Sequence, residues 1–170
     1  MRRYCENYLK LEGDKKEINR FIKKTESTYD GVVQYDFEID KFLDIPDEFC
    51  DPKKKQQAIA KYGYDDITYW CYKNWGTWDI CVEASYDKSI HILTFVTVDW
   101  PPDKAIVAIS KQYPSLKFTF EYKNFKYKDE TIADFGRFMC QDGKIESEEY
   151  SKVKAIFCPP CGQVMTYVKL

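Results

Sequence analysis

A strict two-residue alternation between residues 116 and 123 constrains the fold of this chain more than any other feature. Four apolar side chains alternate there with four polar ones, which is the period of a β-strand that buries one face. The apolar set is Leu116, Phe118, Phe120 and Tyr122, and the polar set is Lys117, Thr119, Glu121 and Lys123. The segment therefore predicts a half-buried strand.

Apolar periodicity predicts further strands and helices along the chain. Asp14 and Glu17 resemble a capping box, and Ile18, Phe21 and Ile22 follow at helical spacing. A second helix begins at the Pro101-Pro102 pair and must stop before Pro114. Strands are predicted at 4–11, 80–86 and 90–98, and helices at 14–26 and 102–113.

The resulting order of strand, helix, hairpin, helix and strand predicts an α+β fold. It is the βαββαβ order of a ferredoxin-like sandwich, an antiparallel sheet with helices on one face. The sandwich core would comprise about 4–26 and 79–123, and about 32–73 would be an inserted strand and helical stretch. About 124–170 would form a C-terminal β extension around Asp142-Gly143. A length of 170 residues favours a single domain.

Charge and cysteine content disfavour several classes of protein. Lys and Arg number 26 against 28 Asp and Glu, so the net charge of -2 gives no general bias toward nucleic acid or acidic membranes. Seven irregularly spaced cysteines fit reduced thiols better than a disulfide framework. The chain opens with charged residues and has no apolar run near about 18 residues. We therefore expect a cytoplasmic protein that does not contact membranes.

Four short segments occur in the order Cys5–Gly13, Phe37–Pro46, Asn74–Asp79 (NWGTWD) and Asp99–Pro102 (DWPP). Together they resemble the YubB ferredoxin-like domain family of phages and plasmids. The motif residues are Asn74, Trp75, Gly76, Trp78, Asp79, Trp100 and Pro101. The family usually places a residue between the Thr and the Trp of the first block, whereas Thr77 directly precedes Trp78 here. The resemblance implies a ferredoxin-like fold without an iron-sulfur cluster and supplies no catalytic residue.

The function expected from this resemblance is binding without catalysis and without a cofactor. Small proteins of mobile elements often disable host machinery, so we expect inhibition or redirection of a host protein, such as a CRISPR-type defence complex. Exposed Tyr and Trp rings dominate interface hot spots and are the expected means of contact. The candidate protein-binding residues lie in the insertion and are Tyr62, Tyr64, Tyr69, Trp70 and Tyr72.

Two alternative functions stay open. The first is single-stranded nucleic-acid binding, because rings that stack on bases interleave with lysines that attract phosphates. Its candidate residues are Lys123, Phe125, Lys126, Tyr127 and Lys128. The second is an enzyme with a site near Trp75, Asp79 and His91, the single histidine of the chain. Alternatively, the tryptophan block simply fills the core, with Asn74 and Asp79 satisfying turn amides.

Cys158 and Cys161 form a Cys-Pro-Pro-Cys turn with the spacing of half a zinc site. A complete site needs two more ligands, and the chain has no second CxxC pair. A redox pair or a vestigial knuckle would have the same sequence. We therefore expect no stoichiometric metal.

Overall fold

The structure is a computed structural model that describes residues 3–80, 82–126, 132–157 and 164–169. Its strands are β1 (Arg3–Glu12), β2 (Glu26–Tyr29), β3 (Val32–Asp36), β4 (Glu83–Asp87), β5 (Ile92–Val98), β6 (Lys117–Lys126), β7 (Ile132–Gln141), β8 (Lys144–Phe157) and β9 (Val164–Lys169). Its helices are α1 (Lys15–Thr25), α2 (Asp47–Cys50), α3 (Lys55–Tyr62), α4 (Ile67–Trp75) and α5 (Asp103–Ser110). None of the described helices combines the length and the apolar character that crossing a bilayer requires.

The nine described strands form one antiparallel sheet in the order β2-β3-β4-β5-β1-β6-β7-β8-β9. β1 lies at its centre, where Leu9 is opposite Leu93 of β5 on one side and Phe120 of β6 on the other. All three side chains point to the same face and have no solvent exposure. Register and burial therefore agree along the middle of the sheet.

The predicted ferredoxin-like sandwich is wrong, because that fold has a four-stranded sheet and this sheet has nine strands. β6 would be an edge strand in the predicted fold, with one row of backbone groups left unpaired. Here β7 pairs with β6 from Phe118 to Phe125, and β8 and β9 extend the sheet further. At the other side, β3 and β2 continue the sheet beyond β4.

The core lies between one face of the sheet and the helices. Phe21 of α1 contacts Phe118 of β6 edge to face, with ring centroids 5.7 Å apart. Ile106 and Ile109 of α5 are fully buried, as the predicted helix over 102–113 requires. On the opposite face of the sheet, Tyr8 is half-buried and Val96 is exposed. The sheet thus has one apolar face and one face of mixed polarity.

The predicted helical stretch in the insertion is divided into separate helices. Gly63 adopts a left-handed conformation with φ 84°, which ends α3, and Asp66 begins α4 by accepting a hydrogen bond from the amide of Tyr69. β2 directly follows α1 and was not predicted, because its four residues lack a clear alternation. The C-terminal end of α4 lies close to the start of α5, where Gly76 approaches Asp103.

Candidate functional site

The tryptophan block connects α4 to the sheet, and its first tryptophan belongs to the core. Trp75 is 2% exposed and packs edge to face on Trp70, with ring centroids 5.6 Å apart. Gly76 follows with φ 89°. A Cβ atom on Gly76 would overlap the side chain of Asp103 and lie 2.8 Å from the carbonyl oxygen of Pro101. Glycine therefore allows the end of α4 to approach the start of α5.

The polar residues of the block bind backbone groups. Asp79 Oδ2 accepts a 2.7 Å hydrogen bond from the amide of Val98 at the end of β5. Asn74 Nδ2 donates a 2.8 Å hydrogen bond to the carbonyl of Trp70, one turn earlier in α4. Both side chains thus stabilise local backbone structure, although only Asp79 binds an amide as the packing alternative expected, and Asn74 binds a helix carbonyl instead.

Three hydrogen bonds stabilise the turn after β5. Asp99 has φ 68°, and the amide of Trp100 donates to the carbonyl of Val98 over 2.9 Å. Thr97 Oγ1 donates to the carbonyl of Trp100, and Asn124 Nδ2 donates to the carbonyl of Asp99. The Thr97 Oγ1 to Trp100 oxygen distance is 2.7 Å, and the Asn124 Nδ2 to Asp99 oxygen distance is 2.8 Å. This hydrogen bonding fixes the backbone that carries the Trp100 ring.

Two exposed tryptophans lie on either side of one tyrosine and form what we call the tryptophan patch, Tyr72, Trp78 and Trp100. The ring centroid of Tyr72 lies 6.1 Å from that of Trp78 and 6.1 Å from that of Trp100. Trp78 is 47% exposed and Trp100 is 39% exposed. Large aromatic rings are usually buried, so an exposed pair in mutual contact with a third ring is a candidate binding surface.

A pocket of about 250 Å³ lies beside the patch, and we call it the acidic pocket. Tyr72 and Trp100 belong to both the patch and the pocket wall. Five further residues that line the pocket carry polar groups and come from α5 and from strands β6 to β8. They are Asp103, Tyr122, Asn124, Asp134 and Tyr150. Asn124 and Asp134 are cross-strand neighbours, as are Tyr122 and Gly136.

Negative charge is concentrated in this pocket. Burial raises the pKa of Asp103 above its usual range, and burial together with the neighbouring Asp103 raises the pKa of Tyr122 to about 12. Burial and a hydrogen bond with Asp134 also raise the pKa of Tyr150. Lys104 supplies one ammonium group at the pocket wall, but its Nζ donates to the carbonyl of Lys73 over 2.9 Å. Two carboxylates, Asp103 and Asp134, thus share the pocket wall with one ammonium group that already has an acceptor, and this balance favours a ligand with positive charge and hydrogen-bond donors.

Asn124 is the one described residue whose buried side chain has an unsatisfied polar atom. The residue is 5% exposed and lines the acidic pocket. Its Nδ2 is engaged by the carbonyl of Asp99, which fixes the orientation of the amide, while Oδ1 has no hydrogen-bond partner among the described residues. A buried carbonyl oxygen without a donor costs about 1–3 kcal/mol, so this atom indicates where a ligand donor would be favourable.

The candidate protein-binding residues of the insertion are distributed over three environments. Trp70 is 8% exposed and belongs to the core. Tyr62 and Tyr64 are half-buried and pack against Phe49 with tilted rings. Tyr69 is 45% exposed, and Tyr72 belongs to the tryptophan patch. From the sequence, Trp78 was expected in a block that fills the core or lines a site, Trp100 was named as a family motif residue, and neither was identified as a protein-contact residue.

The acidic pocket itself was missed by sequence reasoning, although one signal was present. Asn124 continues the buried alternation of Leu116, Phe118, Phe120 and Tyr122, so it places an amide on the apolar face of β6. A polar side chain at a buried strand position needs a partner and is therefore informative. Asp103 and Asp134 gave no comparable signal in the sequence.

The candidate nucleic-acid residues do not form a free strand end within the described part of the chain. β6 is paired on both sides as far as Phe125. Lys123 lies opposite Glu6 of β1, with its Nζ 5.1 Å from the centroid of the Tyr8 ring. Tyr127 and Lys128 lie outside the described residues, as do the side chains of Phe125 and Lys126. Nucleic-acid binding stays a prediction.

His91 does not join Trp75 and Asp79. It lies in the turn before β5 with φ 55°, and its Nδ1 is 2.8 Å from the hydroxyl of Tyr86. Asp79 binds Val98 at the opposite end of β5, a strand of seven residues. At a rise of about 3.3 Å per residue, roughly 20 Å separates the two positions. The structure therefore does not assemble the constellation that the enzyme alternative named.

The candidate zinc ligands Cys158 and Cys161 lie outside the described residues. Among the residues that the structure does describe, no group of three or more His, Cys, Asp or Glu side chains is arranged to hold a metal ion. Cys71 and Cys140 are buried free thiols, and burial raises the pKa of each to about 11. These two thiols are therefore protonated near neutral pH.

No protein-family model matches this chain, and neither the curated proteins nor the solved structures contain a significant match. The resemblance to the YubB family therefore depends on the four short segments alone. What the tryptophan patch and the acidic pocket do must be inferred from their own geometry.

Proposed function

We propose that this chain is a non-enzymatic binding protein that docks a partner protein on the tryptophan patch. The observation that carries the proposal is the pair of exposed rings, Trp78 and Trp100, held at 6.1 Å from the central Tyr72 ring. Tryptophan and tyrosine lose little side-chain entropy on contact and bury large areas, which makes such rings efficient interface anchors.

The local backbone supports a preformed surface rather than one created on binding. Asp79 holds the end of β5, and Asn124 holds the turn that carries Trp100. A surface that is rigid before contact loses less entropy when the partner binds. The neighbouring carboxylates of Asp103 and Asp134 favour a partner whose contact surface combines apolar and basic side chains.

The biological setting in this proposal comes from the sequence resemblance. The setting is the cytoplasm of a host cell that carries a phage or plasmid. The partner is a host protein, and the most specific candidate is a CRISPR-type defence complex. The proposal includes inhibition or redirection of that host protein, and the partner's own activity would reveal either effect.

The test is the dependence of partner affinity on the two exposed tryptophans. The chain captures its partner from a nuclease-treated lysate of the native cell, and titration calorimetry with the purified partner then gives the affinity. Trp78→Ala and Trp100→Ala are each expected to weaken binding about tenfold or more, because truncating a hot-spot ring costs about 2 kcal/mol. The melting temperature should change little, since both rings are partly exposed.

Tyr29→Ala is the matched control, because this ring is 69% exposed but lies on the edge strand β2. It should leave the affinity unchanged. Tyr69→Ala reports whether the contact surface extends into the insertion. If both tryptophan variants bind as tightly as the original chain, the patch is not the interface. A partner that is lost on nuclease treatment would instead support the nucleic-acid alternative.

A further inference from the structure

We propose that the acidic pocket receives the guanidinium group of an arginine side chain of the partner protein. This inference rests on the proposed function, since it names the group that the partner would insert beside the tryptophan patch. It starts from the unpartnered Oδ1 of Asn124, in a residue that is 5% exposed and lines the pocket. Because this oxygen can only accept, the complementary ligand must donate.

The charges around Asn124 favour a donor that is cationic. Asp103 and Asp134 line the same pocket, and none of the ion pairs between described residues involves either carboxylate. Lys104 is the pocket's ammonium group, and its Nζ is directed to the carbonyl of Lys73 at the last turn of α4. Two carboxylates therefore face the pocket against one ammonium whose position is set by another acceptor.

The pocket walls favour a guanidinium group over an ammonium group. A guanidinium is planar, carries five N–H donors and stacks on aromatic faces, whereas an ammonium is a compact and strongly hydrated charge. The acceptors come from separate elements, α5, β6 and β7, and tyrosine and tryptophan rings line the same pocket. Cation–π contact adds to the attraction when the cation is removed from water. A volume of about 250 Å³ accommodates such a group at the end of a flexible side chain.

Two glycines make this pocket possible. A Cβ atom on Gly76 would overlap the side chain of Asp103, and a Cβ atom on Gly136 would overlap the ring of Tyr122. Gly76 therefore leaves room for the Asp103 carboxylate beside α4, and Gly136 leaves room for the Tyr122 ring between β6 and β7. Both groups line the pocket.

The first experiment measures the pocket without the partner, by NMR titration of the full ¹⁵N-labelled chain with capped arginine, N-acetylarginine methylamide. We expect saturable shifts of the Trp100 indole and the Asn124 side-chain amide, with a Kd in the millimolar range. Capped citrulline has nearly the same shape without the charge and should bind at least tenfold more weakly. Capped lysine should bind several-fold more weakly than capped arginine. Equal binding of arginine and citrulline, or no saturable shift with arginine, would overturn the proposal.

Conservative variants of the pocket complete this experiment. Asp134→Asn keeps an oxygen that can accept from Tyr150 but removes the charge, and it should weaken capped-arginine binding at least fivefold. Glu83→Gln removes an exposed carboxylate of β4 outside the pocket and serves as the control. Undiminished binding by Asp134→Asn, or equal losses in both variants, would contradict a defined site. Thermal melts monitored by circular dichroism verify that each variant is folded.

A second experiment separates this inference from the proposed function. Partner affinity is measured for the double variant Asp103→Asn/Asp134→Asn and for Trp78→Ala, because the Trp78 ring belongs to the patch but does not line the pocket. If the tryptophan variant loses affinity and the double variant does not, the partner docks on the patch without an arginine in the pocket, and the inference fails alone. If the double variant loses affinity and the tryptophan variant does not, the partner engages the pocket without docking on the patch, and the proposed function fails alone. If neither variant changes partner affinity, both the proposed function and the inference fail.

Discussion

The ring of Tyr122 occupies the space that a Cβ atom on Gly136 would need. The two residues are cross-strand neighbours on β6 and β7, and the ideal Cβ position would lie 2.5 Å from the Tyr122 hydroxyl oxygen and overlap the ring carbons. An aromatic ring placed over a glycine on a neighbouring strand is a recognised way to protect an exposed glycine backbone. This pair connects the core of the sheet to the wall of the acidic pocket.

Gly136→Ala should displace the Tyr122 ring and destabilise the protein. Forcing one methyl group into a packed position costs about 1–3 kcal/mol, and chemical denaturation should show that loss. The double variant Tyr122→Ala/Gly136→Ala tests the mechanism, because the added methyl group should cost little once the ring is absent. If the two substitutions are simply additive, the ring and the glycine are not coupled.

Asp79→Ala should destabilise the junction between the tryptophan block and β5. It removes the acceptor of the Val98 amide, and a half-buried donor left without a partner costs about 1–2 kcal/mol. Asp79→Asn retains an acceptor oxygen and should cost less. Thermal or urea unfolding measures both variants. If Asp79→Ala melts like the original chain, the hydrogen bond to Val98 does not contribute to stability.

Asp103→Asn should stabilise the protein at neutral pH. Burial raises the pKa of Asp103 in the folded state, so folding is opposed by its charge wherever both states are ionised. As pH falls through the raised pKa toward the ordinary value of about 3.9, the folded state takes up its proton first and this penalty disappears. The variant should therefore melt higher than the original chain at pH 7, and the difference should shrink toward pH 4.

Melting curves of both chains over this pH range check the sign. Comparing the difference between chains removes the contribution of other titrating groups, which both chains share. A difference that grows toward acid would mean that the folded state favours the ionised carboxylate of Asp103, contrary to the direction inferred from its burial. In that case the ionised Asp103 carboxylate could serve an arginine-binding pocket without lowering the stability of the free protein.

Several elements were predictable because their signals are local. The alternation from residue 116 onward corresponds to β6, and Asp14 begins α1 by accepting hydrogen bonds from the amides of Lys16 and Glu17. Asp142-Gly143 forms the turn between β7 and β8 with positive φ at both residues. Such patterns depend on neighbours a few residues apart, so they can be read without knowledge of the fold.

The arrangement of the sheet was not predictable in the same way. Alternation identifies a strand but does not say which edge it joins, and the extra strands beyond β4 and β6 converted an expected four-stranded sandwich into a nine-stranded sheet. Burial in the insertion was not predictable either. Its five aromatic rings are visible in the sequence, but contacts with distant parts of the chain determine that Trp70 is buried and Tyr69 is exposed.

Local periodicity and a few turn residues were enough to predict β1, α1, the hairpin of β4 and β5, α5 and β6, whereas β2 has no such signal. The candidate site depends on contacts between segments that are distant in the chain. Asn124 lies opposite Asp134 through strand pairing, and Asp103 lines the same pocket from the start of α5. A pocket made of residues from distant segments depends on how backbone hydrogen bonds join strands and how helices cover them, and no local pattern encodes that arrangement.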